Sequence, residues 1–497
     1  MDFDYVVVGA GSAGCALAAR LSEDPSMRVC LVEAGKRDDS QLIHMPFGAA
    51  VILPSRLYNW AFKTVPQPGL NRRRGYQPRG KVLGGSSSIN AMIYIRGHAR
   101  DYDDWAALGN PGWGWTDVLA LFKRMEHNER GADEFHGTGG PLNVADPRCA
   151  HPMSHAFVEA GVQAGFRRNA DFNGIEQEGV GIYQVTQKSG RRWSAAQTYL
   201  RNAESRQNLK ILTQTHATRL VLAGKMCIGV EVLGPDGRIT VNASKEVIVA
   251  GGAFGSPQLL LLSGIGPREE LVPHGIEQVH ELPGVGRNLR DHIDFIAGYE
   301  SSRTDLIGFS PRGLLNMAGA WGEYRRTASG PFASNFAEAG GFLKTDPALE
   351  RPDLQLHFVI GLVDDHARKR HFRLGFSCHV CVLRPKSIGS VGLASADPLA
   401  PPRIDPAFLA QQEDVAALAR GARLMHRILE QPALAPFRKR GLYGIPPESD
   451  ADLERMLRER SDTVYHPVGT CKMGADAMAV VDPQLRVRGI ERLRVAD

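Results

Sequence analysis

The sequence predicts an α/β protein with a Rossmann-like nucleotide-binding unit at its very start. Two stretches carry that expectation. Tyr5–Val8 is a short β-rich run, followed by Gly9-Ala-Gly11-Ser12-Ala-Gly14, the helical apolar period of CALAARLSED, and a second strand, RVCLVEAG, that reaches Glu33 and Ala34. Much later, SKEVIVAGGAFGSPQLLL reads as a strand, turn and helix returning to the same sheet.

A bare G-x-G-x-x-G is a weak signal, but here it lies between strand and helix, and an acid follows the second strand. Gly9 makes the tight turn, Gly11 lets a pyrophosphate approach the backbone, and Gly14 lets helix and strand pack closely. The helix N-terminus offers N–H groups and partial positive charge to phosphates. Glu33 falls nineteen residues after Gly14, where its carboxylate can accept ribose hydroxyls. The residues leave open whether the nucleotide is FAD or NAD.

At 497 residues the chain suggests two or more domains, or one large interrupted one. Its 43% hydrophobic and 23% charged residues are ordinary for a globular protein, and a net charge of +5 is too mild to argue nucleic-acid binding. Basic clusters at Arg72-Arg73-Arg74, Arg191-Arg192 and His366–Arg373 read first as solvated loops, and otherwise as a surface for anionic lipid or an acidic partner. The seven cysteines are odd in number and scattered, so they form no disulfide framework. Cys378-His-Val-Cys381 lacks a second ligand pair for zinc and lies in a strand-like run, GFSCHVCVL, where residues three apart face opposite sides. Reduced thiols, an acidic start that is itself a strand, and no apolar run of 18 residues point to a cytoplasmic protein whose membrane contact, if any, is peripheral.

Two further glycine-rich stretches, RGKVLGGSSSINAMIYIRG (79–97) and GAFGSPQLLLLSGIG (252–266), pair small residues with apolar segments, as loops around a nucleotide do. Both resemble the two signature motifs of the glucose–methanol–choline (GMC) family of FAD-dependent oxidoreductases. The likeness spans the chain and includes LPGVGRNLRDH (282–292) and YHPVGTCKMG (465–474). Within the family, LIHMPFGAA (42–50), YNWAF (58–62) and GVGIYQVTQKSGRRWSAA (179–196) are most similar to bacterial aliphatic, medium-chain alcohol dehydrogenases, then to choline dehydrogenases.

The resemblance implies a discontinuous FAD domain (1–150, 205–300 and 455–497) interleaved with a substrate domain (151–204 and 301–454) built on an antiparallel sheet flanked by helices. Gly9, Gly11, Ser12, Gly14, Glu33 and Ala34 would hold the ADP half of FAD. Gly84, Gly85, Ser86, Asn90, Ala91 and Ile93 would line the pyrophosphate and flavin, and Ala217 would meet the adenine end through its backbone. The position where some members tether FAD through histidine is Ile89, so FAD is expected to be non-covalent. The implied partners are a small alcohol and a quinone or other electron acceptor.

Oxidising an alcohol through flavin sends the carbon-bound hydride to flavin N5 and the hydroxyl proton to a base. A group with pKa near 6.5 suits that role at neutral pH. Pro467 biases His466 toward extended backbone, and the following turn can set its ring in a pocket wall. With sixteen histidines, spacing alone is a weak argument for any one of them; the family match selects His466. His292 reads as structural, and His44, His98 and His216 as non-catalytic neighbours of motifs. Trp105, Trp113 and Trp115 read as structural rather than as a cation cage, and Met425 and His426 of an amphipathic segment as packing and surface residues. The family pattern also implies a second His or Asn about forty residues after the base, beyond Asp497. A chain ending there is expected to retain FAD poorly and turn over little, which leaves an FAD-binding chain of low activity as a further reading beside alcohol and choline dehydrogenase.

Overall fold

The computed structural model describes residues 1–444 and 447–497. Its first seven-stranded sheet is built on β1 (Asp2–Val8) and β2 (Val29–Val32), which pair in parallel around helix α1 (Ser12–Leu21). Strand Leu209–Leu212 extends the parallel half beyond β2. On the other side of β1 lies the 13-residue strand Gly237–Val249, whose far end turns into an antiparallel meander with Met226–Gly234 and His216–Ala223. Leu493–Val495 adds a parallel strand beside residues 247–249. β2 is buried along its whole length, as expected of a parallel strand covered on both faces. The 252–266 motif forms helix α2 (Gly252–Leu262), which opens at the carboxyl end of Gly237–Val249 and buries Leu259 to Leu262.

The second seven-stranded sheet is antiparallel throughout. Its order is Arg440–Gly441, Ile293–Glu300, Gly375–Val382, Leu354–Val359, Ala339–Leu343 and Gly179–Ile182, with Asp462–Thr463 also paired to Ile293–Glu300. The two central strands alternate with period two. Leu354, Leu356, Phe358, Phe376, Cys378, Val380 and Val382 face a core closed by helix α4 (Gln412–Leu429) through Leu418, Ala422, Met425, Ile428 and Leu429. Gln355, His357 and His379 point the other way, into a cavity. Helix α3 (Pro311–Thr327) lies between these units and packs Ala320, Met317 and Tyr324 against Met45, Phe47 and Phe332. The mixed α/β class and the antiparallel sheet backed by helices match the sequence reading. Cys378 faces the α4 core whereas Cys381 does not, and all seven cysteines are free.

A polar core pins the strand after the first glycine motifs. Arg96 and Glu126 are nearly fully buried and paired at 2.6 Å. Glu126 also meets His136 Nδ1 at 3.0 Å, and His136 Nε2 meets Asp171 at 3.0 Å. Asn128 Nδ2 donates to Glu126 and to Gln184. Burial of His136 opposes its charge, but Asp171 and Glu126 outweigh that and raise its pKa to about 9. The guanidinium, imidazolium and two carboxylates thus neutralise one another where water is excluded. Replacing Glu126 by Ala leaves Arg96 buried and unpaired, so the denaturation midpoint should shift by the equivalent of about 3–5 kcal/mol. A chemical-denaturation curve overlaying that of the parent protein would refute this account.

Candidate functional site

A cavity of about 2470 Å³ separates the glycine loops from the inner face of the antiparallel sheet. Small-molecule pockets are typically about 300–1,000 Å³, so this one has room for a dinucleotide and a substrate together.

At one end stands the N-terminus of α1, with Ser12 and Ala13 in the cavity wall. Its helical hydrogen bonds begin with Cys15 N–H donating to Gly11 C=O, which leaves the earlier N–H groups available. Gly9 has φ +100°, and a Cβ there would lie 2.3 Å from Ala250 O. A Cβ on Gly14 would lie 1.8 Å from Gly9 O. On Gly11 it would meet nothing within 4 Å. Two of the glycines therefore permit packing, and the third leaves open space. Glu33 is buried and accepts N–H groups from Ala10 (2.9 Å) and Gly35 (2.7 Å). Burial pushes its pKa up to about 7, with those donors working against the rise. Gly9, Gly11, Gly14, Glu33 and Ala34 form the loop and strand behind the wall rather than the wall itself.

The second motif runs along the cavity. Gly84 donates its N–H to Ala10 C=O at 2.8 Å and has φ +87°. Gly85, at φ +54°, comes so close that its Cβ would lie 2.7 Å from Gly11 Cα. The two glycine loops thus touch main chain to main chain. Ser86, Asn90, Ala91 and Ile93 all line the cavity. Ile89 is buried against Ile43, Ile52 and Val82 and also borders it. Asn90 Oδ1 accepts from Met92 N–H and Arg192 Nη1. Arg192 is fully buried without a carboxylate partner, and burial lowers its pKa to about 9. Its Nε and Nη1 donate to Ile43 C=O and Ser87 C=O, and its Nη2 has no partner. Ala217 lies away from the cavity on the His216–Ala223 strand, opposite Val232.

At the far end the YHP stretch is held by its backbone. Tyr465 has φ +76°, unusual for a non-glycine residue and worth about 1–3 kcal/mol of strain. Its N–H donates to Thr463 Oγ1, and its hydroxyl lies 2.6 Å from His366 Nδ1, whose Nε2 meets Asp462 at 2.9 Å. His466 N–H donates to Asp291 Oδ1 at 2.9 Å. The His466 imidazole is thereby turned into the cavity, with its Nδ1 3.3 Å from His292 Nδ1. The surrounding protein, then His292 and Arg79, lower the His466 pKa to about 3. Burial lowers that of His292 to about 4. The His466 ring is open to the cavity, and its surroundings hold its pKa below the ordinary histidine value that the sequence reading took.

His292, read as structural, shares the cavity wall with His466. Its position two residues after Arg290 in the LRDH run was visible, but its pairing depends on a contact 174 residues apart. His357 also lines the cavity, with an unpartnered Nδ1, beside the His379–Asp294 pair at 2.7 Å. Asn335 Oδ1, likewise buried without a partner, borders the same space. His98 caps the helix Ala99–Ala107 and touches the cavity. His216 bonds to Pro398 C=O and packs edge-on to Trp60. Trp105, Trp113 and Trp115 form an aromatic cluster with Tyr102. Among the described residues no group of His, Cys, Asp and Glu is placed to hold a metal, and no helix is long and apolar enough to cross a membrane.

Comparison with known proteins gives one consistent answer. Family models described as GMC oxidoreductase match residues 3–294 and 385–497. An alcohol dehydrogenase [acceptor] of Pseudomonas putida is 47% identical over all of this chain and 90% of its own length. The oxygen-dependent choline dehydrogenase of Brucella anthropi is 42% identical over 100% and 91%. Among solved structures, pyridoxine 4-oxidase from Mesorbium loti superposes with a TM-score of 0.90 at 32% identity, over 100% of this chain and 94% of that one. Formate oxidase of Aspergillus oryzae gives 0.91 at 28%, over 100% and 93%. With these glycine loops, this cavity and these relatives, the chain belongs to the GMC oxidoreductase family.

Proposed function

We propose that this oxidoreductase binds FAD without a covalent bond and oxidises a primary aliphatic alcohol to its aldehyde, passing electrons on to a quinone-type acceptor. The observation that carries this reading is the meeting, in one cavity, of an α1 N-terminus behind open glycine backbone and the neutral His466–His292 pair.

The residues fit FAD. The open space over Gly11, the free N–H groups of α1 and the Gly85–Gly11 contact make a cradle for a pyrophosphate. In this reading Gly9, Gly11, Ser12, Gly14, Glu33 and Ala34 hold the ADP half, and Ala217 supports the adenine end. Gly84, Gly85, Ser86, Asn90, Ala91 and Ile93 hold the rest, and Ile89 offers no nucleophile for a tether. FAD, when bound, supplies the hydride acceptor. In this reading the cofactor domain takes residues 1–150, 205–300 and 455–497 and the substrate domain 151–204 and 301–454, with the strands at 293–300 and 462–463 joining the antiparallel sheet of the substrate side.

His466 takes the hydroxyl proton. Its neutral ring is free to accept, and as hydride leaves the carbon the substrate oxygen becomes electron-poor, holds its proton less tightly and releases it to the ring. His292 holds the His466 ring by their Nδ1 contact, and Asp291 fixes its backbone. His357 and Asn335 present unpartnered polar atoms to the substrate side.

An aliphatic alcohol is favoured over choline by the charges of the wall. The acids lining the cavity among the described residues are Asp101, Asp104 and Asp497. Asp101 is paired with Arg351 and Arg384, Asp104 with Arg351, and Asp497 accepts from Gly252 N–H and Ser256. Asp101 and Asp104 are thus neutralised by arginines, and Asp497 alone has hydrogen-bond donors but no cationic partner. The similarity to the alcohol dehydrogenase of Pseudomonas putida points the same way.

Anaerobic bleaching of the flavin absorbance by medium-chain alcohols tests this reading; bleaching by choline alone would overturn it. Replacing His466 with Ala should lower kcat/KM by about 10²–10⁴-fold while bound FAD stays at the parent level; turnover near that of the parent would remove His466 from the chemistry. Gly11→Val should abolish FAD absorbance and leave the far-ultraviolet dichroism intact, because the added side chain meets only the space over the loop. An unchanged FAD content would move the cofactor elsewhere. Since His466 and His292 stay neutral down to about 3 and 4, kcat/KM should show no acid limb near pH 6.5. A limb there that vanished in His466→Ala would show that the ring titrates normally.

A further inference from the structure

The outer face of α3 is apolar and exposed. Leu314 is 52% and Leu315 68% accessible, Trp321 is 37%, and Ala318 and Gly319 lie between them on the surface. One turn before the helix, Phe309 is both 42% accessible and part of the cavity wall. Phe372, at 75%, projects from the neighbouring loop two residues before Leu374, whose side chain lies against Gly308. Five large apolar side chains therefore stand outward around one rim of the cavity, where a monomer in water normally shows scattered ones.

The exposed charges without an ion partner around this patch are of one sign. Arg312, Arg325 and Arg326 on α3 and Arg370 on the loop are exposed and make no ion pair among the described residues. Arg370 lies over the Phe309 ring at 5.0 Å and Arg325 over Trp321 at 5.7 Å. The aspartates nearby are already engaged. Asp305 pairs with Arg303, Asp365 with Arg368, and Asp364 with His371 and Lys369; Glu323, half-buried beside Gly330, is the one carboxylate on α3 and has no ion pair. The basic run His366–Arg373 thus divides: His366, Arg368 and His371 are tied down inside the protein, and Arg370 and Phe372 face out.

We propose that α3 and the 370–372 tip dock this protein on the surface of an anionic lipid bilayer, with Leu314, Leu315, Trp321, Phe309 and Phe372 entering the interface and the four arginines meeting lipid phosphates. An exposed apolar stripe edged by unpaired arginines is the pattern of an interfacial helix. Because Phe309 belongs to the cavity wall, docking sets that rim of the cavity against the lipid. The docking itself rests on the surface alone. Its consequence, that the acceptor is a quinone dissolved in the bilayer, rests on the function proposed above.

The purified full-length chain, sedimented with phosphatidylcholine vesicles with or without phosphatidylglycerol, provides the test. Binding to the anionic vesicles should be tighter by on the order of tenfold or more and weaken with salt. Leu314→Glu/Leu315→Glu should reduce binding by a similar factor, and Arg312→Gln/Arg325→Gln/Arg326→Gln should remove the preference for phosphatidylglycerol. Both variants should keep parent turnover with a water-soluble dye acceptor, since none of these side chains lines the cavity. Equal partition into both vesicle types, or undiminished binding by the Leu314/Leu315 variant, would overturn the proposal. So would a dimer in gel filtration that the same variant dissociates, which would make a second copy the occupant. Sedimentation needs no turnover, so a chain that oxidised no alcohol yet bound anionic vesicles would refute the alcohol reading and uphold the docking.

Discussion

One buried carboxylate, Asp291, decides where His466 sits. It accepts the His466 N–H at 2.9 Å, the Thr463 hydroxyl at 2.6 Å and the Gln77 amide at 2.9 Å, so it joins three segments far apart in the chain. Burial raises its pKa, and the neighbouring Arg79 opposes that rise. The clamp acts on the main chain rather than on the ring. It offsets the unfavourable φ of Tyr465, and it leaves both His466 ring nitrogens for other work. His292, next in sequence to Asp291, reaches the same wall and meets His466 there.

The part of this molecule written locally was legible from the residues. Gly9, Gly11, Gly14 and Glu33 fall at fixed offsets; Gly9 turns at φ +100°, Gly14 packs on Gly9 O and Glu33 accepts from Ala10 and Gly35, all local reasons, while Gly11 leaves open space rather than relieving a clash. The alternation in GFSCHVCVL fixed the opposed faces of Cys378 and Cys381 for the same reason: period two is a property of the strand alone. What lay between distant segments was not legible. Nothing near His292 indicates that it will meet His466, and nothing near His357 that its Nδ1 will be left without a partner. A histidine in an apolar strand has the same local pattern whether it faces a core or a cavity. The lowered pKa of His466 has no local signature for a related reason, since the protein around the ring comes from several segments.

The cavity combines two kinds of wall. The glycine loops meet by main chain alone at Gly11 and Gly85, so their spacing is set by backbone contact and by the hydrogen bond from Gly84 to Ala10. The opposite wall is set by side chains, Gln355, His357 and His379, standing on a sheet whose other face is locked against α4. A dinucleotide requires the first kind of precision, because its phosphates need close backbone donors. A small alcohol needs the second, because its fit depends on side-chain shape.

That division also constrains how such a chain can diverge. On the Leu354–Val359 and Gly375–Val382 strands, neighbouring positions serve opposite masters: one anchors the hydrophobic core, the next forms the pocket. Single replacements at the inward positions can reshape the pocket without disturbing the core. A one-residue insertion in either strand would do the reverse, turning His357 or His379 into the α4 contact and a leucine or phenylalanine into the pocket. Change of substrate in descendants of this chain is therefore open to point substitution and closed to length variation within these two strands, with insertions and deletions left to the loops that join them.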